Sequence, residues 1–184
     1  MKSDYIQLEL FTLGEIGFLG NQAFDIKEEW FVLTVDAPWS DLLLEEIKLW
    51  ETRPTGTSYP KRIFIHTSQK KLRGDYKALA QKYLGKNYQP NYGQIIGTGV
   101  LTKIVTMTPE FIKKQPRKER RLGLWEPGRK AWKFEQLERI LPIKATGCQG
   151  VPWSIEKSKL NPHLRQQILE VWKPNHENSN LIPQ

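Results

Sequence analysis

The chain has 184 residues, 39% of them hydrophobic and seven of them tryptophan, which is apolar material enough for one domain with extensions and argues against global disorder. Its 28 basic residues against 20 acidic ones give a net charge of +8, a balance that suits an anionic partner. The lone cysteine, Cys148, excludes an internal disulfide and a thiolate metal cluster, and residues 1–29 hold no unbroken apolar stretch of the kind a signal peptide or membrane span requires, so a soluble cytoplasmic protein is expected.

Residues 1–29 mix apolar and acidic residues without a clear period and are expected to pack as an N-terminal extension on the main domain, which spans 30–155. The run Trp30 to Asp36 is short, β-branched and aromatic, as a buried strand should be. Pro38 suits the first helical position, and Leu42, Leu43, Leu44 and Ile47 give the helix that follows one apolar face. A strand is expected from Ile47 to Pro54, a turn-rich loop after it, and a second buried strand over Lys61 to Ser68. Leu72, Tyr76, Leu79 and Tyr83 are spaced for a helix, and Gln94 to Met107 reads as a long strand whose glycines permit a bend or bulge. Thr108 and Pro109 form a helix cap and first turn. The tract Lys113 to Arg121 carries six basic residues and one acid and reads as a loop or frayed helix end. Lys130 to Leu141 alternates as a strand before an irregular link. Asn161 and Pro162 cap an amphipathic C-terminal helix within 156–173, and 174–184 is a loose tail.

Short helices between strands favour a small mixed barrel over a doubly wound parallel sheet. The stretch "VDAPWSDLLLEEIKLWETRPTGTSYPKRIFIHTSQ" resembles the ASCH domain, a branch of the PUA-like superfamily. Pro38 and Trp39 start the helix, Lys48, Glu51 and Arg53 fit the family's G-x-K-x-x-E-x-R signature, and Ile65, His66 and Ser68 fit the strand after it. "IIGTGVLTKIV" and the segment through Trp153 resemble later family landmarks. Glu46 stands where a glycine is usual, and Lys70 to Asn91 is longer than a compact member needs, which suggests an inserted helix.

The resemblance implies an α+β fold, a PUA-like small mixed β-barrel flanked by short helices, with a cleft that binds RNA or a nucleotide-like anion. Lys48, Glu51, Arg53, His66 and Ser68 would line it. The family also includes amidohydrolases of a modified cytidine whose signature reads K-x-x-T. Here position 51 is Glu, and Thr52, one residue on, faces the other side of a strand.

On a strand, Leu49, Glu51 and Arg53 share one face while Trp50 and Thr52 share the other, so Trp50 is expected in the core. Arg53 offers a planar fork to a phosphate or base edge, Lys48 a mobile charge, and Glu51 an acceptor for an exocyclic amine. The alternative is an exposed Glu51–Arg53 ion pair of little energetic weight. Lys113, Lys114, Arg117, Lys118, Arg120 and Arg121 are candidate contacts to a nucleic-acid backbone, or else simply a solvated loop. Trp125 or Trp132 beside them could stack on an unpaired base, although at least five of the seven tryptophans are expected in the core. His66 reads as a hydrogen-bonded structural residue. Three histidines in this arrangement make no metal site, and no serine triad or phosphate loop is spaced correctly, so no metal and no cofactor is expected. The leading expectation is binding of RNA or a nucleotide-like ligand. Its rivals are hydrolysis of a modified nucleoside or of RNA by Lys48 or Glu51, and recognition of an acidic protein by the basic tract.

Overall fold

The computed structural model describes residues 29–57, 62–148 and 152–156. The expected N-terminal extension, C-terminal helix and tail, with His163 and His176, lie outside the described residues. Within them the order is β1 (Glu29–Val35), α1 (Trp39–Leu44), β2 (Trp50–Arg53), β3 (Arg62–Thr67), α2 (Gly74–Leu84), β4 (Gln94–Thr106), α3 (Pro109–Lys114), α4 (Arg117–Arg121), β5 (Lys130–Lys144) and β6 (Trp153–Glu156). The strands form one mixed sheet in the order β2-β5-β4-β3-β1-β6. Only β1 and β3 run parallel among its paired strands.

The apolar runs of β1 and β3 are near-continuous because both faces of the central sheet are covered. Leu33, Val35, Ile63 and Ile65 pack on one face with Leu43 and Leu44 of α1 and with Ile96, Leu101, Trp132 and Phe134 of the β4–β5 ribbon. Val32 and Phe64 pack on the opposite face with Ile95 and Ile143.

The α+β composition stands, but the closed barrel does not form: β2 and β6 end the sheet, and no backbone ladder joins them. The sheet curls without closing. Three strands separate β2 from β1, so four inter-strand spacings of about 4.8 Å would hold them roughly 19 Å apart in a flat sheet. Arg53 of β2 nevertheless donates from Nη2 to the carbonyl oxygen of Thr34 in β1. One side chain cannot reach across a flat sheet, so this hydrogen bond measures the curl.

The curl has a visible backbone origin. The β4–β5 register shifts between Ile95 and Gly97, Thr98 and Val100, and Leu101 and Lys103, and Gln136 of β5 takes a positive φ of 49°. Each bulge bends the ribbon and raises its twist. Strand β5 also runs on through Pro142 to Lys144, in place of the expected irregular link. The basic tract is two short helices rather than a loop, broken at Pro116. Of the tryptophans whose side chains are described, Trp132 alone is fully buried, while Trp39, Trp50, Trp125 and Trp153 are half-buried, so the expected count of five in the core is not met.

Gly97 shows how tightly α1 sits on this ribbon. A Cβ there would lie 2.5 Å from Leu44 Cδ2 and 2.6 Å from the backbone oxygen of Glu138. At Gly99 the nearest atom would be the end of the flexible Leu137 side chain, 2.7 Å away. Gly97→Ala is therefore expected to cost about 1–3 kcal/mol of overpacking, and Gly99→Ala distinctly less, in urea unfolding at matched m-values.

Candidate nucleic-acid interface

The corner between α1 and β2 turns on Glu46, whose φ of 52° lies in the left-handed region. This is where the resembling family places glycine, so the chain holds the turn with a residue that is strained in it. The amides of Ile47 and Lys48 both donate to Leu42 O, at 3.0 and 2.9 Å, wrapping the chain around the C-terminal end of α1. That wrap points the Lys48 side chain inward, and it is only 1% exposed.

Lys48, Glu51 and Arg53 form one buried ionic group. Lys48 Nζ donates to Glu51 Oε2 at 2.7 Å and also to the carbonyl of Trp50. Arg53 Nε lies 3.0 Å from Glu51 Oε1, and its Nη2 reaches Thr34 O. Each carboxylate oxygen of Glu51 thus faces a different cation. Burial pushes the Glu51 carboxyl up, but Lys48 and Arg53, with hydrogen bonds from Lys48 and the Thr52 amide, more than offset this and hold it below the usual carboxylate range. The charges of this corner face inward and do not form an exposed pair. Among them Arg53 is the most open to solvent, its side chain 12% exposed.

Trp50 is not in the core as expected. It is half-buried on the opposite face of β2, edge-on to Phe111 at 5.4 Å, with Lys133 Nζ 5.9 Å from its ring centre. Phe111 in turn meets Trp125 at 6.2 Å. This half-exposed aromatic cluster lies against the basic tract, whose Lys113, Lys114, Arg117, Lys118, Arg120 and Arg121 are all exposed.

Glu119, the single acid of that tract, is the residue that sequence reasoning missed. It is 1% exposed, and its two oxygens accept from the amides of Leu49 and Trp50 at 2.9 and 3.0 Å. The carboxylate covers the outer edge of β2, and the backbone oxygen of the same residue accepts from Trp125 Nε1 at 3.0 Å. One lone acid among six bases was the available signal: a short amphipathic helix that buries its acid must present its bases outward. Leu124 N donating to Thr52 Oγ1 at 3.1 Å completes the cover of the β2 edge.

His66 and Ser68 are placed differently. His66 is 1% exposed and sits between Thr34 Oγ1, 3.2 Å from Nδ1, and Ala145 O, 3.1 Å from Nε2. The carbonyl requires Nε2 to carry the proton, and Nδ1 then accepts from the Thr34 hydroxyl, which itself accepts from Trp153 Nε1 at 2.9 Å. Burial pushes the imidazole below its usual value, against weaker opposing contributions from the Ala145 and Gly93 carbonyls. Ser68, also buried, donates to Asp36 Oδ1 at 2.7 Å. The structure therefore gathers Lys48, Glu51 and Arg53 on the inner face of β2, with Arg53 on the carbonyl of Thr34 and His66 on its hydroxyl, docks the basic tract on the outer edge of β2, and leaves Ser68 beyond the end of β3. A third buried acid, Asp41, ties α1 to the α2 segment by accepting from Tyr88 Oη at 2.6 Å and from Arg139 at 3.0 Å. No group of metal-ligating side chains occurs among the described residues, and none of their helices is long and apolar enough to cross a membrane.

No protein-family model and no curated protein sequence matches the chain. Two solved structures are similar to it in fold: the ASCH from Zymomonas mobilis, at 13% identity over 79% of this chain and 96% of that one with a TM-score of 0.47, and a mutant form of the same protein, at 13% identity over 77% and 94% with a TM-score of 0.43.

The buried groups set stability in two measurable ways. Glu51→Gln leaves Lys48 and Arg53 without their carboxylate and is expected to cost about 3–5 kcal/mol, whereas pairing it with Lys48→Met recovers part of that loss, as a double-mutant cycle by chemical denaturation would show. For pH, both His66 and Glu51 have folded values below their unfolded ones, so each contributes stability that is present above the unfolded value and lost on acidification. Stability is expected to fall first as pH drops below 6.5, where the unfolded chain's imidazole takes up a proton that buried His66 resists, and again below 4.5, where the unfolded carboxyl takes up one that Glu51 resists. Thermal melts from pH 8 to 3 check this, with His66→Gln expected to flatten the upper step.

Proposed function

We propose that the chain binds RNA in single-stranded form across the α3–α4 surface, with the mouth of the Lys48–Glu51–Arg53 group beside it taking a phosphate or base edge through Arg53. The observation that carries this reading is the Glu119 anchor. A buried carboxylate fixes α4 on β2, so six exposed cations stand on a firm frame around Trp50, Phe111 and Trp125. Cations that track a backbone, beside aromatic faces on which any base can stack, are the chemistry that single strands select. Glu51, held between Lys48 and Arg53, orients the guanidinium toward its partners and so sets which edge Arg53 offers.

Hydrolysis by the same residues draws less support. A carboxylate held below its usual range is a weak general base, and Lys48 Nζ is buried with Glu51 and the Trp50 carbonyl as partners. The amidohydrolase signature lacks its threonine: Thr52 sits on the outer side of β2, where its hydroxyl accepts from Leu124 N. Recognition of an acidic protein would use the cations of the tract and leave the aromatic cluster without a role.

Fluorescence anisotropy with short labelled single-stranded RNA tests the proposal. Affinity is expected to fall with salt, and Lys114→Ala/Arg117→Ala/Arg121→Ala to reduce the slope of log K against log salt by about 2, near 0.7 for each phosphate that is no longer neutralised. Trp125→Ala is expected to weaken binding by about 1–3 kcal/mol with little change in that slope. A slope that the triple substitution leaves unchanged would overturn the assignment of this surface. Release of acetate from acetylated cytidine, abolished by Lys48→Met, would instead favour the hydrolase.

A further inference from the structure

The inserted segment between β3 and β4 is the part of the chain that the RNA surface does not use. It lies at the other end of the long ribbon: the basic helices follow Thr106 and precede Lys130, while the insertion leads into Gln94 and faces Lys144, the paired residue on β5. Two adjoining depressions open here, of about 540 and 390 Å³, with Tyr92 as their shared wall. Both fall within the roughly 300–1,000 Å³ common to small-ligand sites.

Their charge is one-sided. Lys71 and Lys144 line the larger depression and Lys77 and Lys86 the smaller, and neither is lined by any aspartate or glutamate. Among the described residues none of these four ammonium groups has a carboxylate partner. The contrast with the neighbouring lysine is sharp. Lys70 turns back to pair with Asp36 at 3.0 Å, whereas Lys71 places its Nζ 4.3 Å from the centre of the Tyr92 ring, against its electron-rich π face.

The frame that holds these groups is fixed by polar anchors. Tyr92 Oη accepts from Leu72 N at 2.8 Å, bracing the two ends of the insertion against each other. Tyr88 Oη donates to the buried Asp41 at 2.6 Å, and Tyr76 packs edge-on against Trp39 at 5.3 Å, so the insertion is fastened to α1 at two points. The floor of the larger depression is pinned as well: Gly93 N donates to Thr67 O at 2.8 Å, and Ala145 N donates to Gly93 O at 3.1 Å. The lysines are exposed, while the aromatic wall and the floor between them are fixed by these bonds.

We infer that this lysine- and tyrosine-lined groove is a second site, separate from the α3–α4 surface, for a phosphate monoester attached to a planar base. The phosphate sits between Lys71 and Lys144, taking over the ammonium now parked on the ring. The base then lies along Tyr92 toward the amide-lined smaller depression, where Gln81 and Gln89 offer donors and acceptors to its edge. The ligand is either a free mononucleotide or the phosphorylated end of an RNA strand, since both present the same chemistry.

Isothermal titration calorimetry on the full chain near physiological salt tests this with four probes: cytidine, cytidine monophosphate, and one short single-stranded RNA with and without a 5′-phosphate. The phosphorylated member of at least one pair is expected to bind about tenfold tighter than its partner. Lys71→Ala/Lys144→Ala should remove that difference, while Arg117→Ala/Arg121→Ala on the other surface should preserve it. Both lysines are exposed, so melting temperatures should be unchanged, which separates loss of the site from loss of the fold. A gain with the mononucleotide alone identifies a free nucleotide as the ligand, and a gain with the RNA alone identifies a strand end. Equal affinities within both pairs, or a phosphate gain that survives the double lysine substitution, would overturn the site. Failure here leaves the salt slope of the α3–α4 surface untouched, so the two assignments stand or fall separately.

Discussion

Everything at the α1–β2 end is organised by one carboxylate held between two cations. Glu51 places one oxygen on Lys48 and the other on Arg53, and each cation also donates to a backbone carbonyl, of Trp50 and of Thr34. Removing three charges from water is expensive, and a buried ionic group of this kind commonly contributes little net stability compared with a well-packed apolar one. Its worth is geometric. Strand β2 is four residues long and pairs with β5 on one side only, so side-chain bonds must fix what the ladder leaves loose. The Arg53 bond to Thr34 ties this terminal strand to one near the opposite end of the sheet, and so sets how far the sheet curls.

The other edge of β2 poses a different problem. An unpaired strand edge offers free amides and carbonyls to any passing strand. Here Glu119 occupies the amides of Leu49 and Trp50, and the loop at Leu124 lies alongside, its amide donating to the Thr52 hydroxyl. The same carboxylate decides where the positive charge goes. A five-residue helix has too few hydrogen bonds to be stable alone, so without a buried anchor the tract would be the solvated loop that composition suggests. With its one acid fixed inward, its bases have one direction left.

Much of the fold was legible in the sequence because its signals are local. The apolar runs of β1 and β3, the Thr108–Pro109 cap and the glycine-containing β4 all depend on residues close in the chain, and Thr108 Oγ1 does accept from Phe111 N at 3.2 Å. The grouping of Lys48, Glu51 and Arg53 was legible from spacing and resemblance together. What escaped were features set by distant partners. Trp50 leaves the core because Phe111 and Lys133, far along the chain, offer its ring a half-exposed seat. Barrel closure failed because strand count and length do not specify whether the terminal strands meet. Asp41 gave no local sign of its role, since Tyr88 and Arg139 are 47 and 98 residues away.

Thr34 joins these parts. Its carbonyl accepts from Arg53, its hydroxyl bridges His66 and Trp153, and His66 continues to the carbonyl of Ala145 at the floor of the larger lysine-lined depression. A single β1 residue thus connects β2, β3 and β6 and links the ionic group at one end of the ribbon to the groove at the other. Such a chain is a frame before it is a relay. Energetic coupling requires an element with two arrangements that both sites bias, and the buried neutral imidazole, with a hydrogen bond at each nitrogen, favours one. Charging His66 would turn Nδ1 into a donor facing a hydroxyl already held by Trp153, and would deprive that hydroxyl of its acceptor. Protonation therefore strains the frame at Thr34 and leaves the Nε2 bond to Ala145 in place, and burial, which disfavours the charge, holds the imidazole below its usual value.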